Sequence, residues 1–397
     1  MSKRHRSQDR HFTGRAAACL LLILLLAGGA TRPAAAENEG EELLVTGIAV
    51  SGNRATSERF IRSLLALEAG ARYSFDEVID RISLSRERLQ RTGLFTNIFF
   101  DDRLTGENGE LRVELTVQVR EKGYLRFGPS GYAGLQGGDF YGDLSLYGEY
   151  VNLWGNGSLA HVELPLYRDS GVFLLTENRL GTGTTTLSLG YEYLDDHSLG
   201  LTSHLVLAGV SVPLSSPLRL GVYGNLYAND GTSLVMFPSL TLGSRTRPGN
   251  TKTWYYLELA PFYGFSRDRE DFYGTRGEAA LYRDLFLQLV YELAVRAGYV
   301  HGSPPQRYRF TPHVRGTEPD RYRGDVLLSV TNELRFPWPA YPRLHLVPFF
   351  DASLIGADPD VLLGGGLGIH WYTRFQDPLV LEVAFGKGVM LNFSRVF

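Results

Sequence analysis

The chain has 397 residues, 44% hydrophobic and 12% aromatic, with 40 Lys/Arg against 43 Asp/Glu and a formal net charge of −3. A single cysteine, Cys19, excludes a disulfide scaffold and any cysteine-based metal centre. The slightly acidic balance argues against nucleic acid as a partner.

Lys3, Arg4, Arg6, Arg10 and Arg15 precede the run AAACLLLILLLAGG, and Ala34-Ala35-Ala36 follows it. A basic start, a short apolar stretch and a small-residue end predict a cleavable signal peptide over residues 1–36. The apolar stretch is shorter than the roughly twenty residues of a helical membrane anchor. Cleavage removes six Lys/Arg and one Asp, so the exported chain carries 34 basic and 42 acidic residues, a balance of −8.

Residues 43–121 read as a small α+β domain. LLVTGIAVSGN is a strand ending in a Gly-Asn turn. Thr56 is placed to cap a helix over SERFIRSLLAL, with Phe60, Leu64 and Leu67 on one face. Ser74 caps a second helix in which Asp76 and Glu77 favour the positive end, Val78, Ile82 and Leu89 form the apolar face, and Gly93 ends the element. LFTNIFFDDRL and ELRVELTVQVRE then form a hairpin across TGENG. The βααββ order, with VTGIAVSGNRAT, RTGLFTNIFFD and VELTVQVRE, resembles a POTRA domain; an unrelated α+β module is the alternative.

From 123 to 397 the pattern alternates. In VLLSVTNELRF, Val326, Leu328, Val330, Leu334 and Phe336 face one way and Ser329, Thr331, Glu333 and Arg335 the other. In LQLVYELAVRAGY, Leu287, Leu289, Tyr291, Leu293 and Val295 oppose Gln288, Glu292 and Arg296. Strands of nine to eleven residues, apolar outside and polar inside with aromatic ends, predict a transmembrane β-barrel. A soluble barrel shares the alternation but not the aromatic girdles. About eleven strands precede the long segment HGSPPQRYRFTPHVRGTEPDRYRG and five follow it, about sixteen in all, an even number as bacterial barrels require. With the amino-terminal domain in the periplasm, that segment is an extracellular-side loop, and WGNG and PLSSP are periplasmic turns.

The loop is far longer than an ordinary hairpin connection of two to five residues. A sixteen-stranded barrel has a lumen too wide for wall side chains to fill. The loop can therefore fold inward and bring Arg315, in Val314-Arg315-Gly316, to two inward carboxylates, Glu333 and Asp351, as a geometrically specific fork. The Val-Arg-Gly loop, the inward Glu of TNELRFP, the FFDAS strand and the POTRA-like domain together resemble the BamA/TamA superfamily, the bacterial surface antigen family of assembly and secretion barrels. The resemblance implies that Arg315 is held by those carboxylates. The sequence departs from the family pattern at Thr317, where an aromatic is usual, and at Ser353, where glycine is usual.

The last strand, VMLNFSRVF, puts Val389, Leu391, Phe393 and Phe397 on the lipid face and resembles a terminal sorting signal. The first, YLRFGPSGYAG, carries Gly128, Pro129, Gly131 and Gly134, residues that weaken a strand, and it must pair with the last to close the barrel. That seam is expected to be the weakest join. His161 and Glu163 share a strand face, and Gly364–Gly366 and Gly368 are expected to bend their strand. No catalytic or phosphate-binding motif appears, so neither enzymatic chemistry, a cofactor nor a metal is expected.

The resemblance implies a factor at the outer membrane that inserts or translocates unfolded outer-membrane or secreted polypeptides. Its partners are then those clients, the lipid bilayer and periplasmic accessory proteins. A passive channel or structural barrel with a periplasmic tether is the alternative. A two-partner secretion pore normally has a plug helix and two POTRA domains, for which ENEGEE leaves no room.

Overall fold

The structure, a computed structural model, describes residues 42–395 apart from 108–109, 167–168, 181–184, 197–200, 216, 230, 244–252, 287–288, 358–359 and 373–377. The expected signal peptide and Phe397 lie outside the described residues.

Alternation makes β1 (Glu42–Ser51), and a bulge between Val45 and Gly47 changes its parity, so that Leu43, Val45 and Ile48 are all buried. Helix α1 (Glu58–Ser63) is shorter than the pattern suggests, although Leu64 and Leu67 beyond it still reach the core. Its cap is Ser57, whose hydroxyl accepts from the Phe60 amide, rather than Thr56. A three-residue strand that periodicity cannot reveal, β2 (Arg72–Ser74), leads into α2 (Phe75–Arg91). Ser74 and Glu77 form a reciprocal capping box there, satisfying two backbone donors that the first turn would otherwise leave free. The hairpin β3 (Phe95–Glu107) and β4 (Glu110–Glu121) completes a sheet of order β2-β1-β4-β3 with β1 parallel to β4. Ile61, Leu89, Val113, Leu115 and Val117 sit at the centre of the core between helices and sheet.

The barrel begins with β5 (Leu125–Gln136), β6 (Asp139–Val151), β7 (Leu159–Pro165), β8 (Asp169–Leu180), β9 (Thr185–Asp196) and β10 (Leu201–Pro213). It continues through β11 (Leu218–Asn229), β12 (Gly231–Gly243), β13 (Thr253–Ser266), β14 (Phe272–Asp284) and β15 (Val290–Gly302). After the long loop come β16 (Val326–Trp338), β17 (Tyr341–Ile355), β18 (Asp360–Tyr372), β19 (Pro378–Phe385) and β20 (Val389–Arg395). Each pairs antiparallel with its sequence neighbour, and β20 pairs with β5, so sixteen strands close into a ring among the described residues. The division into eleven and five is the expected one. Outward positions such as Leu234, Met236 and Leu240 are exposed while Ser233, Val235, Phe237 and Ser239 between them are buried. A continuous exposed apolar belt of this kind suits hydrocarbon and not water.

The lumen is not uniformly polar. Val235, Phe237, Phe262, Phe272 and Val300 form a buried apolar cluster on the inner face of β12–β15. Alternation hides it, because in LVMFP both faces are apolar.

The amino-terminal domain seats on the turn between β6 and β7. The Ser57 amide donates to the Gly155 carbonyl at 2.8 Å, and Asn152 Nδ2 donates to Thr56 Oγ1 at 2.9 Å. Asn152 adopts a left-handed φ of 74°, and its Oδ1 accepts from the Gly157 amide. Behind this contact the Glu121 carboxylate accepts from the amides of Arg54, Ala55 and Thr56 at 3.0, 3.1 and 2.7 Å and from the Tyr124 hydroxyl. Thr56 therefore serves the joint, while Ser57, directly before the first helical residue, is the cap.

Candidate functional site

The loop between β15 and β16 enters the lumen, and Arg315 is its centre. Gly316 follows at φ 84°, the left-handed conformation that glycine adopts at no steric cost, and the chain reverses there. The Arg315 guanidinium grips Asp351 in a fork, Nε to Oδ2 at 2.8 Å and Nη2 to Oδ1 at 2.8 Å, and the Arg315 amide adds a third bond to Oδ2 at 3.0 Å. Nη1 reaches Glu333 Oε1 at 2.8 Å. The guanidinium also lies flat on the Phe349 ring, 3.5 Å from its centroid, which shields it from water on that side. The expected trio of Arg315, Glu333 and Asp351 is thus brought together, with Asp351 only 1% exposed.

The network extends beyond the expected trio. Arg315 Nη1 also donates to Glu382 Oε1 of β19 at 3.0 Å. Glu382 in turn meets His370 Nε2 of β18 at 3.1 Å and accepts from Asn392 Nδ2 of β20 at 2.9 Å. On the other side Glu333 accepts from Arg335, whose guanidinium also contacts Glu292 and donates to the hydroxyls of Tyr282 and Tyr372. A continuous ionic network therefore runs from Glu292 on β15 to Asn392 on β20. Parity carried a signal for Phe349, which lies two residues before Asp351 on the same face, and for Glu382, the one charged residue in PLVLEVAF.

Among the glycines of β18, Gly364 makes room for the loop and Gly366 for the Phe349 ring on which Arg315 rests. A Cβ on Gly364 would lie 2.3 Å from the Arg315 carbonyl oxygen, and one on Gly366 would lie 2.0 Å from the Val383 carbonyl and 2.7 Å from the Phe349 ring. Val314 is buried against Leu327, Ile355 and Leu362. The two departures from the family pattern are accommodated: Thr317 is buried beside Gly386, and Ser353 pairs its hydroxyl with that of Ser329.

The loop tip lies on the seam. Gly316 O accepts from the Gly388 amide at 2.9 Å, at the start of β20, and the Glu318 amide donates to Gln136 Oε1 at 3.1 Å, at the end of β5. The seam itself registers five residue pairs, Val389–Phe393 against Leu135–Gly131. Gly128 and Pro129 lie outside this pairing and so do not weaken it directly. Gly131 and Gly134 lie within it, opposite Phe393 and Met390, and on their other side a Cβ would come within 2.3 Å of the Asp143 carbonyl and of the Tyr141 ring of β6 respectively. Val389 and Leu391 are exposed on the outer face as expected, and Phe393 is half-buried. His161 meets Glu149 Oε1 at 3.3 Å, closer than the anticipated Glu163 at 3.8 Å.

This architecture, one α+β domain seated on a sixteen-stranded barrel with an arginine-locked lumen loop, defines a class. Residues 44–122 match the POTRA family model, described as surface antigen variable number repeat. Among solved structures, CdiB from Acinetobacter baumannii aligns with a TM-score of 0.61 at 15% identity over 90% of this chain and 73% of that one. BamA from Haemophilus ducreyi lacking POTRA domains 1-3 aligns with a TM-score of 0.53 at 14% identity over 89% of this chain and 85% of that one. CdiB from Escherichia coli aligns with a TM-score of 0.50 at 13% identity over 93% of each chain. No curated protein sequence matches the chain. The protein has one POTRA domain and a barrel with the fold of BamA and CdiB, so the resemblance read from its residues is borne out at the level of fold.

Proposed function

We propose that this protein works in the bacterial outer membrane as a factor that inserts or translocates other polypeptides. The POTRA domain faces the periplasm and receives extended clients, and the barrel passes them through or beside its wall. The observation that carries this reading is the loop tip clasped to both closing strands, β20 through Gly388 and β5 through Gln136. A five-pair seam under a removable clasp suits a wall that opens sideways, whereas a permanent pore gains nothing from it. The loop also crosses the lumen, which counts against a passive open channel.

Leu391 and Ala133 are direct cross-strand partners in the seam. The paired substitutions Leu391→Cys and Ala133→Cys allow the seam to be sealed by oxidation, with Cys19 the single native cysteine of the chain. Client insertion or secretion should stop in the oxidised protein and return on reduction. Equal activity in both states would rule out lateral opening.

A further inference from the structure

The lumen loop has a second attachment that the Val-Arg-Gly motif does not include. Arg307, eight residues before Arg315, forms a two-pronged ion pair with Glu192 of β9, with Nη2 to Oε2 at 2.7 Å. Next to it Tyr308 enters the apolar lumen cluster, its ring 5.4 Å from Phe272 and 6.1 Å from Tyr227. Phe310 then packs where a Cβ on Gly298 would lie 2.3 Å from its ring, and it bridges to Gly324 across the base of the loop.

The position of Glu192 gives this pair its meaning. In the ring β9 is the fifth strand and β17, which holds Asp351, is the thirteenth. Eight strands in a ring of sixteen is half the circumference, so the two arginines are tied to opposite walls. Extended, eight residues reach at most about 26–29 Å, and the two arginine side chains add to that span. The segment 307–315 therefore ties strands on opposite sides of the ring, with a guanidinium fork at each end.

We propose that the Arg307–Glu192 pair is a second anchor that keeps the lumen closed to ions and small solutes, independently of the Arg315 lock. The two anchors differ in kind. Arg315 meets three carboxylates and an aromatic face in a buried site. Arg307 meets one carboxylate, with its side chain 33% exposed. A partly exposed pair is weaker and is screened by salt, so the Arg307 end is the one that lets go first. Its release frees the β8–β11 side of the lumen while the tip stays clasped to the seam.

The test uses the full-length protein in planar bilayers. Glu192→Gln and Arg307→Gln should each raise open probability about fivefold, the factor corresponding to the upper range for a partly exposed ion pair. The exchange of both charges, Glu192→Arg with Arg307→Glu, should return it toward the unmodified level. Tyr308→Ala should raise it as well, without touching either charge. Heat-modifiable gel mobility, which reports the folded barrel and the Arg315 lock, should stay unchanged in all four. Unmodified conductance in the three single variants would overturn the proposal. So would a rise in conductance accompanied by loss of the folded gel form, since the Arg315 lock would then have failed too.

Discussion

Arg315 and Glu382 share a hydrogen bond of 3.0 Å although 67 residues separate them in the chain. Through that bond the loop grips β19, the neighbour of the closing strand, and Asn392 passes the contact on to β20 itself. The lock and the seam are therefore parts of one network.

Arg315→Ala should leave Asp351 buried without its cation and strip one partner each from Glu333 and Glu382, which keep Arg335 and His370, a loss of about 3–5 kcal/mol where the site is dry. The folded barrel should lose its heat-resistant gel form at a lower temperature. Arg315→Lys should recover only part of the difference, because an ammonium cannot fork to Asp351 and lie on Phe349 at once. An unchanged transition temperature in Arg315→Ala would remove the residue from the stability of the barrel.

Glu382→Gln removes one of the three acidic partners and should cost less than Arg315→Ala. Because Arg315 and Glu382 touch, a double-mutant cycle between them should show coupling of about 0.5–3 kcal/mol. Additivity within error would mean that the seam-side branch of the network carries no energy.

Gly364→Ala should push Arg315 out of its groove, since the new methyl would meet the Arg315 carbonyl at 2.3 Å. Overpacking of this kind costs about 1–3 kcal/mol. Gly224→Ala, where nothing lies within 4 Å, is the matched control and should behave as the unmodified protein. Equal thermal stability of the two variants would show that the groove tolerates a side chain.

The POTRA joint should weaken in acid. Burial alone would raise the Glu121 carboxyl, but hydrogen bonds from Thr56, Tyr124 and Ala55 together outweigh it and hold the group below its usual range. Burial, and then the same carboxylate, pushes the Tyr124 hydroxyl up to about 12. A depressed carboxyl lends stability that is present above its unfolded value, near 4.3, and is lost as pH falls through the folded value. Trypsin cleavage after Lys122 should therefore speed up below about pH 4 relative to neutral pH, once corrected for the enzyme's own profile. Glu121→Gln should show the fast rate at neutral pH and lose the acid dependence. A pH-independent ratio of the two rates would exclude Glu121 as the cause.

Alternation, strand length and the aromatic ends together determined the barrel, its count of about sixteen and the inward parity of Glu333 and Asp351, because the face of a strand is set by a two-residue period that neighbours in the chain already express. The length of the loop and its Val314-Arg315-Gly316 turn told of a segment that goes inward. What alternation cannot express is which inward residues meet. Glu192 lies 115 residues from Arg307. Their meeting depends on ring closure, which places β9 across from β17, and on the path the loop takes between them. The same holds for the glycine trough of β18, which is defined only once Arg315 and Phe349 occupy it. Gly128 and Pro129 show the converse: their composition suggested a weak seam, but the register ended the β5–β20 pairing at Gly131 and left them outside it. Register is a property of two strands together with the curvature of the whole ring, so only the tertiary structure could decide it.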